Sequence, residues 1–282
     1  MSEDKHTLSR RNFLKSSGLA VVSGLSASSP ALARNSDQGQ LQVWSCGGLA
    51  EAFIPANQAF HKKTGVKIAY TGAFAAALGK SLLGDARTEI FAPRVVSLSK
   101  KLKDQGRMLW YKPLCFTRYV LAVPKGNPAG IKSIEDLAGK GIRVVLSFEA
   151  SPPGGKATMI LLKKAGLLEK VKKNIIFNGD CVLRSTTMLA EARADVSIVE
   201  QRITKNPRFA GKLEVIPIEE KYFPPPPMTF TIGLMKWAAK PAVATSFIDF
   251  ILSSEGQNHF ENAGFIPAIS LEGRRLIERY GV

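Results

Sequence analysis

The chain has 282 residues, 45% of them hydrophobic and 22% charged, values near the average of folded proteins that exclude a disordered chain, a repetitive fibre and a many-spanning membrane protein. That length is too great for a disulfide-stapled mini-protein and fits one large or two modest domains. Thirty-nine Lys and Arg against 23 Asp and Glu give a formal charge of +16, an excess that calls for nucleic acid, an anionic surface or an acidic ligand.

The first segment has the layout of an export signal. Ser9-Arg10-Arg11-Asn12-Phe13-Leu14-Lys15 is followed by a weakly apolar stretch from Gly18 to Ala27 and then by Ala31-Leu32-Ala33. This order resembles a twin-arginine signal, with cleavage expected after Ala33. The first cysteine is Cys46, away from the cleavage point, so a lipid anchor is not expected. No later run reaches the roughly 18 apolar residues of a spanning helix. The expected location is the periplasm, where nucleic acid is not available as a partner.

Beyond the signal, short β-rich runs alternate with helical patterns. Leu41 to Trp44 reads as a buried strand and Ser45-Cys46-Gly47-Gly48 as a turn. Leu49, Ala52, Phe53, Ala56 and Phe60 then fall on one helical face, and Thr64-Gly65 ends that helix. Val66 to Tyr70 is the next strand, Gly72 to Gly79 a turn and helix start, and Ile90-Phe91 a third strand. Cys115 to Val123 reads as one long crossover strand, closed by Pro124-Lys125-Gly126-Asn127-Pro128.

A second series repeats this plan. Ser133 to Asp136 forms a capping box, Arg143 to Leu146 a strand, and Pro152-Pro153-Gly154-Gly155 a turn before a helix through Leu161 and Leu162. Asn174 to Phe177, Gly179-Asp180-Cys181, a helix through Met188, and Val196 to Val199 follow. After strand Leu213 to Ile218, Pro224 to Pro227 makes a stiff linker without backbone donors. Strand Thr229 to Met235 and two helical patterns complete the chain. The expectation is an α/β protein of two lobes, each a mostly parallel sheet flanked by helices and joined by two crossovers. Residues 34–122 with 228–282 form lobe 1, and 123–227 form lobe 2. Ligands in such sheets bind beyond the carboxyl ends of the strands.

Six fragments in order also match a known family. They are Leu41-Gln42-Val43-Trp44 with Ala50-Glu51-Ala52-Phe53; Phe60 to Lys67; Val123 to Pro128; Ser133 to Leu137; and Ser246 to Gln257. The chain resembles periplasmic molybdate/tungstate-type solute-binding proteins over nearly all of its length after Ala33. The resemblance implies a two-lobe clamp that binds a small inorganic ligand and feeds an ABC permease in the cytoplasmic membrane. It implies no enzyme activity and no cofactor, and a monomer is expected.

In that family, hydroxyls and backbone N–H groups at the turns hold a tetrahedral oxyanion. The matching positions here are Ser45, Cys46, Gly47, Gly48, Phe74, Ala75, Pro153, Gly154, Cys181, Val182 and Glu200. Several depart from the pattern: glycine stands for serine in the first turn, the second turn lacks hydroxyls, and Glu200 replaces tyrosine. A carboxylate beside an oxyanion in a poorly solvated cleft repels it by several kcal/mol, so Glu200 requires a neutralising cation, for which Arg184 and Arg202 are candidates.

The three cysteines leave two further readings. Cys46 and Cys181 fall at corresponding turns of the two lobes and Cys115 at the crossover, so three thiolates with Glu200 would suit a thiophilic metal or metalloid. Inert burial or a disulfide would account for the same residues. A periplasmic sensor signalling to a membrane kinase is the other alternative to transport. His61 and His259 are too few for a histidine-rich metal site.

Overall fold

The computed structural model describes residues 40–150, 154–223 and 228–282. The export signal with its cleavage at Ala33, the Pro152-Pro153 dipeptide and the tetraproline linker lie outside the described residues. In chain order the elements of the first half are β1 (Gln40–Cys46), α1 (Ala50–Thr64), β2 (Lys67–Ala73), α2 (Ala75–Leu83), β3 (Ile90–Ala92), α3 (Val96–Asp104), β4 (Met108–Thr117), β5 (Tyr119–Pro124), β6 (Val144–Leu146) and α4 (Gly154–Lys164). Next come α5 (Leu168–Lys172), β7 (Ile175–Asn178), α6 (Val182–Ala190), β8 (Ser197–Glu200), α7 (Gln201–Thr204) and β9 (Leu213–Pro217). The chain ends with β10 (Met228–Met235), α8 (Pro241–Leu252), α9 (Ser254–Asn262), β11 (Ile266–Pro267) and α10 (Leu271–Tyr280). Among the described residues no helix is long and apolar enough to cross a membrane.

Local chemistry accounts for the element ends. Gly65 adopts the left-handed conformation (φ 75°) that terminates α1, and its N–H donates to the His61 carbonyl at 2.8 Å; a side chain there would be strained. The capping box after β5 forms as read, with the Asp136 carboxylate accepting from the Ser133 N–H at 2.9 Å. Ser253 and Ser270 cap α9 and α10 by accepting from Gly256 and Gly273.

The strands form a six-stranded sheet in the order β11-β4-β10-β3-β1-β2 and a second group containing β8-β5-β9 and β6-β7. A parallel bridge between Val144 and Val196 links β6 to the start of β8. The sheets are mixed where mostly parallel ones were expected. β1 pairs in parallel with β2 and β3, and β6 with β7. The strands nearest the two crossings, β4, β5 and β10, pair antiparallel with all their neighbours. The parallel pairs are the ones joined by intervening helices, as βαβ geometry requires.

The expected single strand Cys115 to Val123 is two strands. The chain leaves the six-stranded sheet at Thr117 and joins the second at Tyr119, with Arg118 between them. Two elements escaped the sequence pattern. In α3 only Ser99 and Leu102 are buried, too thin a stripe to show periodicity. In β4 the sequence is interrupted by Pro113, which has no N–H to give the ladder; the register against β10 shifts between Phe230 and Thr231, opposite Cys115 and Pro113, a bulge that accommodates it.

Helices cover both faces of each sheet group. Phe53, Phe60, Phe230, Phe247 and Phe260 are buried to 2% exposure or less in the largest core. Their rings meet edge-on, Phe60 on Phe247 at 5.1 Å and Phe53 on Phe260 at 5.3 Å, so α1, α8 and α9 are locked on one face by aromatic packing. Leu121, Leu146, Leu161, Leu162 and Val196 form the corresponding core of the second group. Burying each such side chain contributes about 1.5–3 kcal/mol, so both groups carry their own hydrophobic core.

Candidate functional site

β1, β3, β6, β7 and β8 end around one cleft of about 330 Å³. Its walls come from the turns just past those ends: Gly47 and Gly48 after β1, Arg94 after β3, Ser147 after β6, Cys181 after β7, and Glu200 at the end of β8. This is where α/β sheets bind ligands, since helices start there and present free N–H groups. The first turns of α4 and α6 contribute Gly154, Thr158, Val182 and Leu183.

The centre of the cleft is a buried charge cluster. The Glu200 side chain is 7% exposed; Arg94 Nη2 donates to its Oε1, and Arg202 Nε donates to its Oε2 at 2.6 Å. Both arginine side chains are 13% exposed. These three side chains carry a formal +1 in a poorly solvated space, and the exposed carboxylates Glu51 and Asp180 belong to the same lining. Burial pulls both guanidinium groups below their ordinary pKa, and the charge of Arg202 adds to the pull on Arg94. Arginine does not deprotonate in proteins, so the cluster remains cationic and favours a further negative charge.

Tyr119 and Ser147 bring hydroxyls to the lining of the same cleft. Tyr119 is 4% exposed and pairs across the ladder with Glu200. Burial pushes its phenol up to about 12, against an opposing effect of Arg94 and Arg202, so it stays protonated and can donate. Ser147 lines the cleft and shares a hydrogen bond of 2.7 Å with Ser185. Tyr119 thus brings a hydroxyl residue to the cleft lining from the strand paired with Glu200.

The glycine in the first turn has a steric cause. A Cβ on Gly48 would meet the Arg202 guanidinium carbon at 3.0 Å, so the absent side chain makes the room that Arg202 occupies. Of the two expected neutralising cations, Arg202 reaches Glu200. Arg184 instead faces Asp180 at 3.9 Å on the exposed surface. Arg94 was missed by the sequence reading, though its place just past Ile90-Phe91-Ala92 was the signal that could have found it.

Gly47, Gly48, Gly154, Cys181, Val182 and Glu200 of the sequence-derived set come together in this cleft; Pro153 lies outside the described residues. Ser45 is fully buried behind the lining, its hydroxyl held 2.6 Å from that of Tyr70, whose phenol burial pushes up to about 12. Phe74 is 49% exposed and Ala75 is buried at the start of α2. Neither lines the cleft, because the turn after β2 packs behind Gly47, where the Ala73 carbonyl fills the space beside it.

The expected thiol trio does not assemble. Cys46 and Cys115 are buried, Cys181 is exposed, and all three are free. Burial pushes the Cys115 thiol well above its ordinary pKa, away from the thiolate that binds metal. Among the described residues no group of three His, Cys, Asp or Glu is placed to hold a metal ion, and the carboxylate of Glu200 is engaged by arginines.

A second cavity, of about 370 Å³, lies behind the crossover and is lined by Thr117, Arg118, Glu220, Glu272 and Arg275. Its ion pairs are more exposed, with Arg118 and Glu272 at 37% and 39%, so the cluster in the first cleft is the better shielded from water of the two.

Residues 41–266 match the family model described as bacterial extracellular solute-binding protein. The chain belongs to that family. This solute-binding protein is 24% identical over 258 residues to the molybdate-binding protein ModA of Mycobacterium tuberculosis, a match covering 88% of the chain and 92% of the relative. Its fold is similar to the substrate-binding domain assigned to a molybdenum ABC transporter of Clostridium difficile, with TM-score 0.71, 22% identity, and 81% and 98% of the two chains covered. It is also similar to the periplasmic molybdate-binding protein of Azotobacter vinelandii, with TM-score 0.63, 18% identity, and 80% and 99% covered. The fold of this solute-binding protein is thus the two-lobe fold of its relatives, and the buried arginine pair sits at the strand ends of that fold.

Proposed function

We propose that the protein is the periplasmic receptor of an ABC uptake system, that it has no enzymatic role, and that its solute is a small oxyanion held in the cleft at Glu200. The observation that carries this reading is the convergence of Arg94 and Arg202 from the two sheet groups on one buried carboxylate, leaving a net positive charge. Arg94 and Arg202 supply charge-assisted donors. The Tyr119 hydroxyl and the N–H groups at Gly47, Gly48, Val182 and Gly154 supply neutral ones. We divide the lobes by the sheets, with the first crossing at Arg118 and the second between β9 and β10. The receptor acts as a monomer and passes its solute to a membrane permease.

The relatives named for molybdate support the oxyanion class. A thermal-shift screen of the mature chain tests it. A ligand that binds only the folded state raises the melting temperature by mass action, so at least one oxyanion should shift it and soft metal ions should not. A shift with thiophilic ions alone would reject the reading.

A further inference from the structure

We infer that Glu200 makes this site selective for oxyanions that carry a proton, the hydrogen phosphate class, over fully deprotonated tetrahedral oxyanions such as sulfate and molybdate. The inference rests on the oxyanion reading of the cleft and narrows it.

A carboxylate can only accept hydrogen bonds. Glu200 lines the cleft with its side chain 7% exposed, so little water is available to separate it from a bound anion. The two arginines take one bond at each of its oxygens, and an ionised carboxylate has about four lone-pair sites, so it retains acceptor capacity towards the cleft. An oxyanion without a proton can meet that carboxylate only oxygen against oxygen, which is repulsive in a poorly solvated space. A P–OH group turns the same contact into a charge-assisted hydrogen bond with Glu200 as acceptor.

The other carboxylates lining the cleft, Glu51 and Asp180, are exposed, so the buried one dominates the discrimination. Gly48 contributes by leaving the space in which Arg202 can hold Glu200 in place.

The test is calorimetric titration of the mature wild-type protein with inorganic phosphate, sulfate, molybdate and perrhenate, repeated on Glu200→Gln. Perrhenate is tetrahedral and singly charged but has no proton, so it separates proton donation from charge matching. Wild type should bind phosphate at least about tenfold more tightly than the other three, the scale on which a mismatched buried polar contact discriminates. Glu200→Gln, which exchanges an acceptor oxygen for an N–H donor, should bring sulfate and molybdate to within about threefold of phosphate. The wild-type panel tests the inference even if the variant fails to fold. Equal wild-type binding of phosphate and sulfate or molybdate would overturn the inference, as would an unchanged ratio in Glu200→Gln. Perrhenate binding as tight as phosphate would assign the selection to charge and overturn the role of the proton. Tight molybdate binding that is lost in Glu200→Gln would make the carboxylate a direct ligand and overturn it as well. If none of the four binds, the oxyanion reading itself fails, and the inference with it.

Discussion

Arg94, which follows β3 of the six-stranded sheet, donates to Glu200, which ends β8 of the second sheet group. The contact joins the two sheet groups across the cleft, while Arg202 holds the other Glu200 oxygen from the same sheet group as the glutamate. Removing the carboxylate takes from both buried guanidinium groups the counter-charge that Glu200 supplies.

Glu200→Ala should therefore destabilise the ligand-free protein by about 3–5 kcal/mol, the range for breaking one side of a buried ion pair. Added sulfate should restore part of this by occupying the vacated anion position. Denaturant melts with and without sulfate check it, and wild type should show the smaller sulfate response.

Gly48→Ser restores the side chain that the family pattern expects but places a Cβ 3.0 Å from the Arg202 guanidinium carbon. The variant should fold with an unchanged circular dichroism spectrum and bind its oxyanion about tenfold more weakly, because Arg202 must move away from Glu200. Titration of the ligand identified in the thermal-shift screen measures the loss.

Cysteine accessibility provides a third check. Cys181 is exposed at the cleft and Cys46 and Cys115 are buried. Iodoacetamide should label one thiol in the native protein and three after unfolding, as counted by mass spectrometry. Bound oxyanion should slow the native reaction at Cys181.

Acid stability depends on a pair remote from the cleft. Asp195 ties β6 to β8: it accepts from the Arg143 N–H at 2.7 Å and from the Arg143 guanidinium at 2.7 Å. Burial pushes the Asp195 carboxyl up, but the hydrogen bonds and charge of Arg143 outweigh it and hold the carboxyl below its ordinary value. A depressed folded-state pKa contributes stability that is complete above the unfolded value near 3.9 and is lost as pH falls through the folded value. Asp195→Asn should cost about 1–3 kcal/mol at neutral pH and flatten the stability profile between roughly pH 5 and the acid limit. Urea melts across that range on both proteins give the comparison.

The sequence was most legible where a local pattern and the tertiary fold agree. β1, its glycine turn and α1 could be read because the apolar stripe, Gly65 and the strand all serve one buried unit. Ser133 to Asp136 could be read because a capping box is self-contained. The break at Arg118 was hidden because apolar residues run on both sides of it, and only pairing partners distant in sequence separate β4 from β5. The cleft was half legible. Strand-end turns located Gly47, Gly48, Cys181 and Glu200, but Arg94 and Tyr119 reach the site through sheet packing, and no motif marks either. The family pattern misled at Ser45 and Phe74, since burial of one and exposure of the other depend on how the second turn packs against the first.

Arg94 and Arg202, from opposite sides of the cleft, are expected to hold one oxyanion together. Calorimetric titration of wild type, Arg94→Ala and Arg202→Ala with the oxyanion found in the screen tests it most directly. Each variant should lose about a hundredfold or more in affinity, as expected for a buried charge-assisted contact. Retention of affinity within about threefold in either variant would contradict a site built on both arginines.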